Sequence, residues 1–285
     1  MPTLKLIIMK KILTVFDGLR YSAHTIGFAA DIAKATDSLL VGVFVHDLSY
    51  ARFVNTYSWE IPTQYAIDYQ KIEKEDEEKM KDIVTVFQKI CDGKGVHYKI
   101  HRHTGIPLME LLKESTFSDL LIIDTKTNFF NIGDQTPSTF LKDLFAQSKC
   151  PVLIIPDNPK QVKHAVIAYD GSDSSVYAMK MFSYIFPEWK ELDTTVVTVN
   201  SSTSNHIPKN RDVKDLASGH FKNVSFKVLH GEPELELEKY LKQSAKDTVI
   251  VMGSYGRSAW SRMFHASMSN KILKDTKIPL FITHQ

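Results

Sequence analysis

Short apolar runs rich in β-branched residues recur along the chain, and stretches with polar or helical spacing separate them. In the first half the runs fall near 10–16, 39–46, 96–103, 119–124 and 151–155. In the second half they fall near 164–169, 194–199, 224–229, 247–252 and 279–283. Several are apolar throughout, which suits parallel strands covered on both faces rather than strands with one wet face. Thr25 to Ala35 is Ala-rich, with apolar residues at helical spacing. Pro107 and Pro233 are placed to open helices that continue through Glu110 to Lys113 and Leu235 to Leu241. Proline suits a first helical turn because its missing N–H would have no partner there. Strand and helix in alternation predict an α/β fold with doubly wound parallel sheets.

The pattern is also a repeat. KILTVFDG at Lys11 to Gly18 returns as HAVIAYDG at His164 to Gly171. Thr104-Gly105-Ile106-Pro107 returns as His230-Gly231-Glu232-Pro233, DLLIID at Asp119 to Asp124 as DTVIVM at Asp247 to Met252, and PVLIIP at Pro151 to Pro156 as PLFITH at Pro279 to His284. The same order in both halves points to duplication of one unit. Two tandem five-stranded units are expected, over 1–156 and 161–285, with the polar linker Asp157-Asn158-Pro159-Lys160 at the boundary. The units differ after the second strand. Gln64 to Cys91, rich in Glu and Lys, predicts a long solvated helix with favourable i,i+4 pairs. The second unit has only a short counterpart at Lys209 to Ser218, preceded by a loop over Asn200 to Asn210.

Composition narrows the function classes. The 285 residues carry 35 Lys and Arg against 33 Asp and Glu, a formal net charge of +2. That balance argues against nucleic acid as the partner. The two cysteines, Cys91 and Cys150, are too few for a disulfide scaffold and are read as reduced thiols of a cytoplasmic protein. The apolar stretch in MPTLKLIIMKK is too short to span a membrane and lacks a cleavage site, and no other stretch is long enough. Met9 is an alternative start, because the first strand begins just after it.

In an open parallel sheet, ligands bind beyond the carboxyl ends of the strands, where strand order reverses. Asp17 and Asp170 both end a first strand. A carboxylate there accepts bonds from ribose hydroxyls or an adenine amino group, or it shapes the Asp-Gly turn and caps the next helix. For Asp170 the two readings stand level; for Asp17 the structural one leads. After the fourth strand of the second unit comes Gly253-Ser254-Tyr255-Gly256, then nine residues, then Ala266-Ser267-Met268-Ser269. Glycines let a backbone approach phosphate oxygens closely. A helix beginning near Ala266 and running to Asp275 offers free amides to an anion, and Ser267 adds a hydroxyl. Arg257 and Arg262 are read as ordinary surface charge.

These residues resemble the universal stress protein family, which carries Gly-x2-Gly-x9-Gly-Ser/Thr between its fourth strand and last helix. Gly253, Gly256 and Ala266-Ser267 keep that spacing, and Asp170 resembles the family's early aspartate. The resemblance covers essentially the whole chain, twice. It implies ATP or a related adenine nucleotide in the second unit only. Asp170 would hold the ribose or base, Val199 at the end of the second strand the adenine, and Gly253, Gly256, Ser267 and Ser269 the phosphates. Ala266 departs from the family's third glycine; if that position needs a positive φ, alanine costs roughly 1–2 kcal/mol. The first unit departs further, with Thr125, Asn128 and Ser138-Thr139 at the aligned positions and Asp124 bringing an acid to the phosphate site. No ordinary nucleotide site is expected there, and Ser138 and Thr139 are read as helix caps.

His97, His101 and His103 share one face of a strand over 96–103, but the motif supplies no fourth ligand, so no metal is assigned and sheet-edge or helix contacts are expected. His230 is read equally as a base contact or a loop-structural residue. Asp170-Gly171-Ser172-Asp173-Ser174-Ser175 lacks the second glycine of the ATP pyrophosphatase loop. There is no P-loop lysine, nucleophile elbow or paired acid and base. The expectation is a regulatory nucleotide binder with at most weak ATPase activity; the alternative is an interaction scaffold of the same fold. The short apolar last strands, Val152 to Ile155 and Leu280 to Ile282, are expected to pair antiparallel as an intrachain pseudo-dimer. Further pairing into a homodimer stays open.

Overall fold

The computed structural model describes residues 10–16, 22–47, 63–125, 127, 139–244, 246–253 and 278–283. The first half contributes β1 (Lys11–Phe16), α1 (Ala23–Ala35), β2 (Leu39–Asp47), α2 (Thr63–Lys94), β3 (Tyr98–Gly105), α3 (Pro107–Thr116), β4 (Leu120–Asp124), α4 (Thr139–Gln147) and β5 (Val152–Ile155). The second contributes β6 (His164–Ala168), α5 (Asp173–Ile185), a 3-10 turn (Pro187–Glu191), β7 (Asp193–Asn200), α6 (Asn210–His220), β8 (Asn223–His230), α7 (Pro233–Gln243), β9 (Thr248–Gly253) and β10 (Leu280–Thr283). The fold is α/β, and every predicted strand is present within two residues of its expected ends.

The ten strands among the described residues join one sheet, in the order β3-β2-β1-β4-β5-β10-β9-β6-β7-β8. The two five-stranded parallel sets are therefore continuous rather than separate sheets. Within each set the pairing is parallel, as between β1 and β2 or β6 and β9. At the seam β5 and β10 run antiparallel, with Leu280 opposite Ile154, Phe281 opposite Leu153 and Ile282 opposite Val152. Because the direction reverses there, the carboxyl ends of the two sets open on opposite margins of the sheet.

Helices cover both faces, which is why the inner strands are apolar throughout. On one face α1, α2, α5 and α6 bury Ile26, Phe87, Phe182 and Ala217 against Phe44, Leu153 and Phe281. On the other, α3, α4 and α7 bury Leu111, Leu144 and Leu237 against Val43, Ile154 and Ile282. Each core runs across the seam. The edge strands β3 and β8 alternate between more and less exposed positions, as strands with one wet face do.

Local chemistry sets the helix ends. Pro107 and Pro233 open α3 and α7, whose caps Ile106 and Glu232 make no side-chain bond. Helix α2 extends the predicted 64–91 to Thr63–Lys94 and turns Met80, Ile83, Phe87 and Cys91 inward. Its exposed pairs, Lys79 with Asp76 at 3.4 Å and Lys81 with Glu77 at 3.2 Å, contribute little to stability. Helix α5 is the helix expected after Asp170, given no bounds by the sequence; Val176, Met179, Phe182 and Ile185 lie at helical spacing, and Ser172 rather than Asp170 caps its first turn.

Candidate functional site

In the second half, β6 lies between β7 and β9, and the chain changes direction of travel across the sheet there. This is the topological switch point at which α/β sheets hold ligands. Asp170 follows β6 after Tyr169, and Gly253 is the last residue of β9. Two of the predicted residues, 83 positions apart in sequence, therefore meet at the same margin.

Asp170 shapes the turn. Its Oδ1 accepts from the Ser172 backbone N–H at 2.9 Å and from the Ser172 hydroxyl at 2.5 Å. Ser172 Oγ in turn accepts from Ser175 N–H at 3.2 Å and caps α5. Gly171 between them has φ of +81°, and a Cβ there would stand 2.5 Å from Pro208 Cβ. Glycine is thus required by conformation and by space.

Gly253 is required for packing. A Cβ on it would lie 2.3 Å from the Ser174 carbonyl oxygen, so the first turn of α5 presses against the bare end of β9. This close approach is a reason for the glycine that precedes any phosphate.

Val199 is buried near the end of β7. The ladder between β6 and β7 ends at Ala168 opposite Val197, with Tyr169 N–H bonded to Val197 O at 2.8 Å. Alternation along β7 then directs the N–H and C=O of Val199 past the end of β6, toward the Asp170 turn. The loop after β7 closes over one side. Asn200 Nδ2 donates to Ser204 O at 2.6 Å and His206 O at 2.8 Å, and Tyr169 donates to Pro208 O at 2.9 Å. His230 takes the loop-structural role: Nδ1 lies 2.9 Å from Ser202 O and Nε2 lies 3.1 Å from Asn205 Oδ1. Burial, then the charges of Asp170 and Asp212, raise the Tyr169 pKa, so the phenol stays a donor. Gly256, Ala266, Ser267 and Ser269, with Arg257 and Arg262, lie outside the described residues.

The equivalent margin of the first half is different. Asp17, Asn128 and Ser138 lie outside the described residues, and Thr139 is the first residue of α4. Asp124 ends β4 at 7% exposure, and Thr127 Oγ1 donates to its Oδ1 at 3.2 Å. Thr125 carries a side chain where Gly253 has none.

The cysteines offer no reactive thiol. Both are free and buried, and burial first of all pushes each pKa up to about 12. Two of the three predicted histidines meet on β3. His101 Nδ1 and His103 Nε2 lie 2.7 and 2.9 Å from the same Glu114 oxygen on α3, the expected helix contact. His97 is exposed and outside the strand. Burial of Glu114 opposes its charged form, but bonds from His101, Lys11 and His103 outweigh it and hold the carboxyl below its ordinary range. Glu114 was not singled out in the sequence, because it is thirteen residues from His101 and on another element.

Among the described residues no helix is long and apolar enough to cross a membrane. The model of the Universal stress protein family matches residues 161–284. No curated protein sequence matches the chain. Among solved structures, a universal stress protein from Archaeoglobus fulgidus is similar at 17% identity and a TM-score of 0.68, covering 97% of this chain and 96% of that one. Two Pseudomonas aeruginosa chains also align. The one from strain UCBPP-PA14 has 14% identity and a TM-score of 0.56, covering 97% of this chain and 94% of its own. The other, a protein of unknown function from strain PAO1, has 12% identity and a TM-score of 0.55, covering 97% and 93%. At these identities the likeness is one of fold, and it spans both halves. Residues 161–284 are thus similar to the universal stress protein family, and the first half carries the same strand order in the same sheet.

Proposed function

We propose that this is a stress-response protein that binds ATP or a related adenine nucleotide beyond β6 and β9, as a regulatory ligand rather than a substrate. The observation that carries the proposal is the convergence of Asp170, Gly253 and the open edge of Val199 at one switch point. The second oxygen of Asp170 would accept from the ribose, and Val199 would offer its N–H and C=O to the adenine edge. Gly253 and Gly256 would let amides reach the phosphates, with Ser267 and Ser269 adding hydroxyls beside Ala266. In the first half, buried Asp124 would repel a phosphate, so that margin takes no nucleotide.

In this proposal residues 1–156 and 161–285 are two domains, the first with a degenerate loop. They pair within the chain as a pseudo-dimer through β5 and β10, and light scattering tests whether two chains pair further as a homodimer. The test is the nucleotide content of the purified protein, by acid extraction and ion-exchange chromatography. About one adenine nucleotide per chain supports the proposal. No nucleotide, and no binding of added ATP, contradicts it.

One observation favours a second reading. The Oδ1 bonds of Asp170 and the packing of Gly253 against Ser174 are sufficient structural reasons for both residues. In that reading the fold is an interaction scaffold. Measured ATP turnover above background would instead make the protein a weak ATPase.

A further inference from the structure

His101 and His103 project from one face of β3, the outermost strand of the first half, and Glu114 reaches them from α3. One ligand atom from each of the three, a ring nitrogen or a carboxylate oxygen, lies within 4.8 Å of the other two. We infer that His101, His103 and Glu114 form a binding site for one divalent transition-metal ion, with Zn²⁺ the first choice.

Dimensions and donor chemistry carry the inference. Zinc sits about 2.0–2.2 Å from imidazole nitrogen and carboxylate oxygen, so tetrahedral ligand atoms stand about 3.4 Å apart. The contacts of 2.7 and 2.9 Å to Glu114 open by roughly 0.5–0.7 Å to admit the ion, within the reach of side-chain rotation. Two imidazoles and one carboxylate are a zinc-type donor set that leaves a fourth position for water or another ligand.

The surroundings orient these groups as metal ligands are oriented. Glu114 Oε2, the oxygen turned away from the histidines, accepts from Lys11 Nζ at 3.0 Å. His103 Nδ1, the nitrogen not facing Glu114 Oε1, lies 3.5 Å from Glu110 Oε2. A carboxylate behind a histidine fixes its ring and raises its basicity toward a metal. The frame is firm: His101 and His103 pair in register with Val43 and Val45, and α3 is anchored by fully buried Leu111. It is also accessible, since the histidine side chains are 33% and 26% exposed and that of Glu114 11%. The site is on β3, two strands from β1, and so is separate from the switch-point margins.

The simpler account is a carboxylate bonded to two imidazoles and a lysine, needing no ion. Titration of the chelator-stripped full chain with Co²⁺ separates the two. The expected result is a visible absorption band of tetrahedral Co²⁺ that saturates at one equivalent and is bleached by added Zn²⁺. His101→Ala and His103→Ala should each weaken binding at least about tenfold, since even partners behind the ligands have effects of that size. His97→Ala should leave it unchanged. Circular dichroism of each variant reports whether its fold is intact. The inference is overturned if the unaltered chain shows no saturable band, or if the band survives in both His101→Ala and His103→Ala.

Discussion

Single residues at the second-half margin serve packing and the proposed ligand at once, and substitutions can separate the two. Gly253→Ala places a methyl 2.3 Å from a backbone oxygen that cannot turn away, so α5 must shift. The expected cost is roughly 1–3 kcal/mol, read from urea unfolding without ligand. Unchanged stability would mean that β9 and α5 are not so closely packed. Ala266 is a contrasting case. If the missing glycine limits phosphate approach, Ala266→Gly should tighten ATP about fivefold, equivalent to about 1 kcal/mol. Glycine near a helix start can cost up to about 1 kcal/mol, so unliganded melting should be unchanged or slightly lower. Unchanged affinity in calorimetry would show that alanine is tolerated there.

Among the elements, strands were the most legible because apolar runs between polar breaks reflect burial on both faces. LLII at Leu120 to Ile123 is an example, all four residues being fully buried. The start of helix α5 was hard to place because Asp173-Ser174-Ser175 is polar, and the structure gives Ser172 as its cap. The metal-type cluster was half legible: His101 and His103 share a face by strand period, but only the tertiary packing of α3 brings Glu114 to them. Gly253 ends β9, where the spacing put it, while its packing reason needed the position of Ser174; Gly256 lies outside the described residues.

Two elements carry their own tests. His220 of α6 lies 2.9 Å by Nδ1 from Ser183 Oγ of α5. Burial first, and the charge of Lys180 second, lower its pKa below the ordinary 6.5. The unfolded chain therefore takes up this proton first, so the contribution to stability is complete above about pH 6.5 and is lost as pH falls below it. In His220→Gln the decline in urea midpoint from about pH 7 to about pH 5 should be shallower than in the unaltered chain; an identical decline would contradict the assignment. At the seam, Phe281 is fully buried opposite Leu153. Phe281→Ala should cost about 3–5 kcal/mol, and combined with Leu153→Ala the two effects should be non-additive. Strict additivity in denaturant unfolding would mean the pair is not coupled.

At the scale of the whole molecule, one sheet with a core on each face joins two halves whose margins open in opposite directions. Lys10 of the first half donates to Ile185 O of the second at 2.6 Å, which ties the halves beyond the seam strands, and Ser22 Oγ donates to Asp157 O of the linker at 3.3 Å. The strand order common to both halves was legible in sequence from the recurring Asp-Gly and Gly-x-Pro segments, and the joining of both sets in one sheet from the short apolar last strands needing partners. The central proposal is functional asymmetry between the halves, in which the second margin would take adenine nucleotide and the first would not. Its most direct test is calorimetric titration of ATP into Gly256→Val and Asn128→Val beside the unaltered chain. The account predicts one site per chain, weakened at least about tenfold by Gly256→Val because a side chain blocks the phosphate, and unchanged by Asn128→Val. Weakening by Asn128→Val with none by Gly256→Val would contradict it.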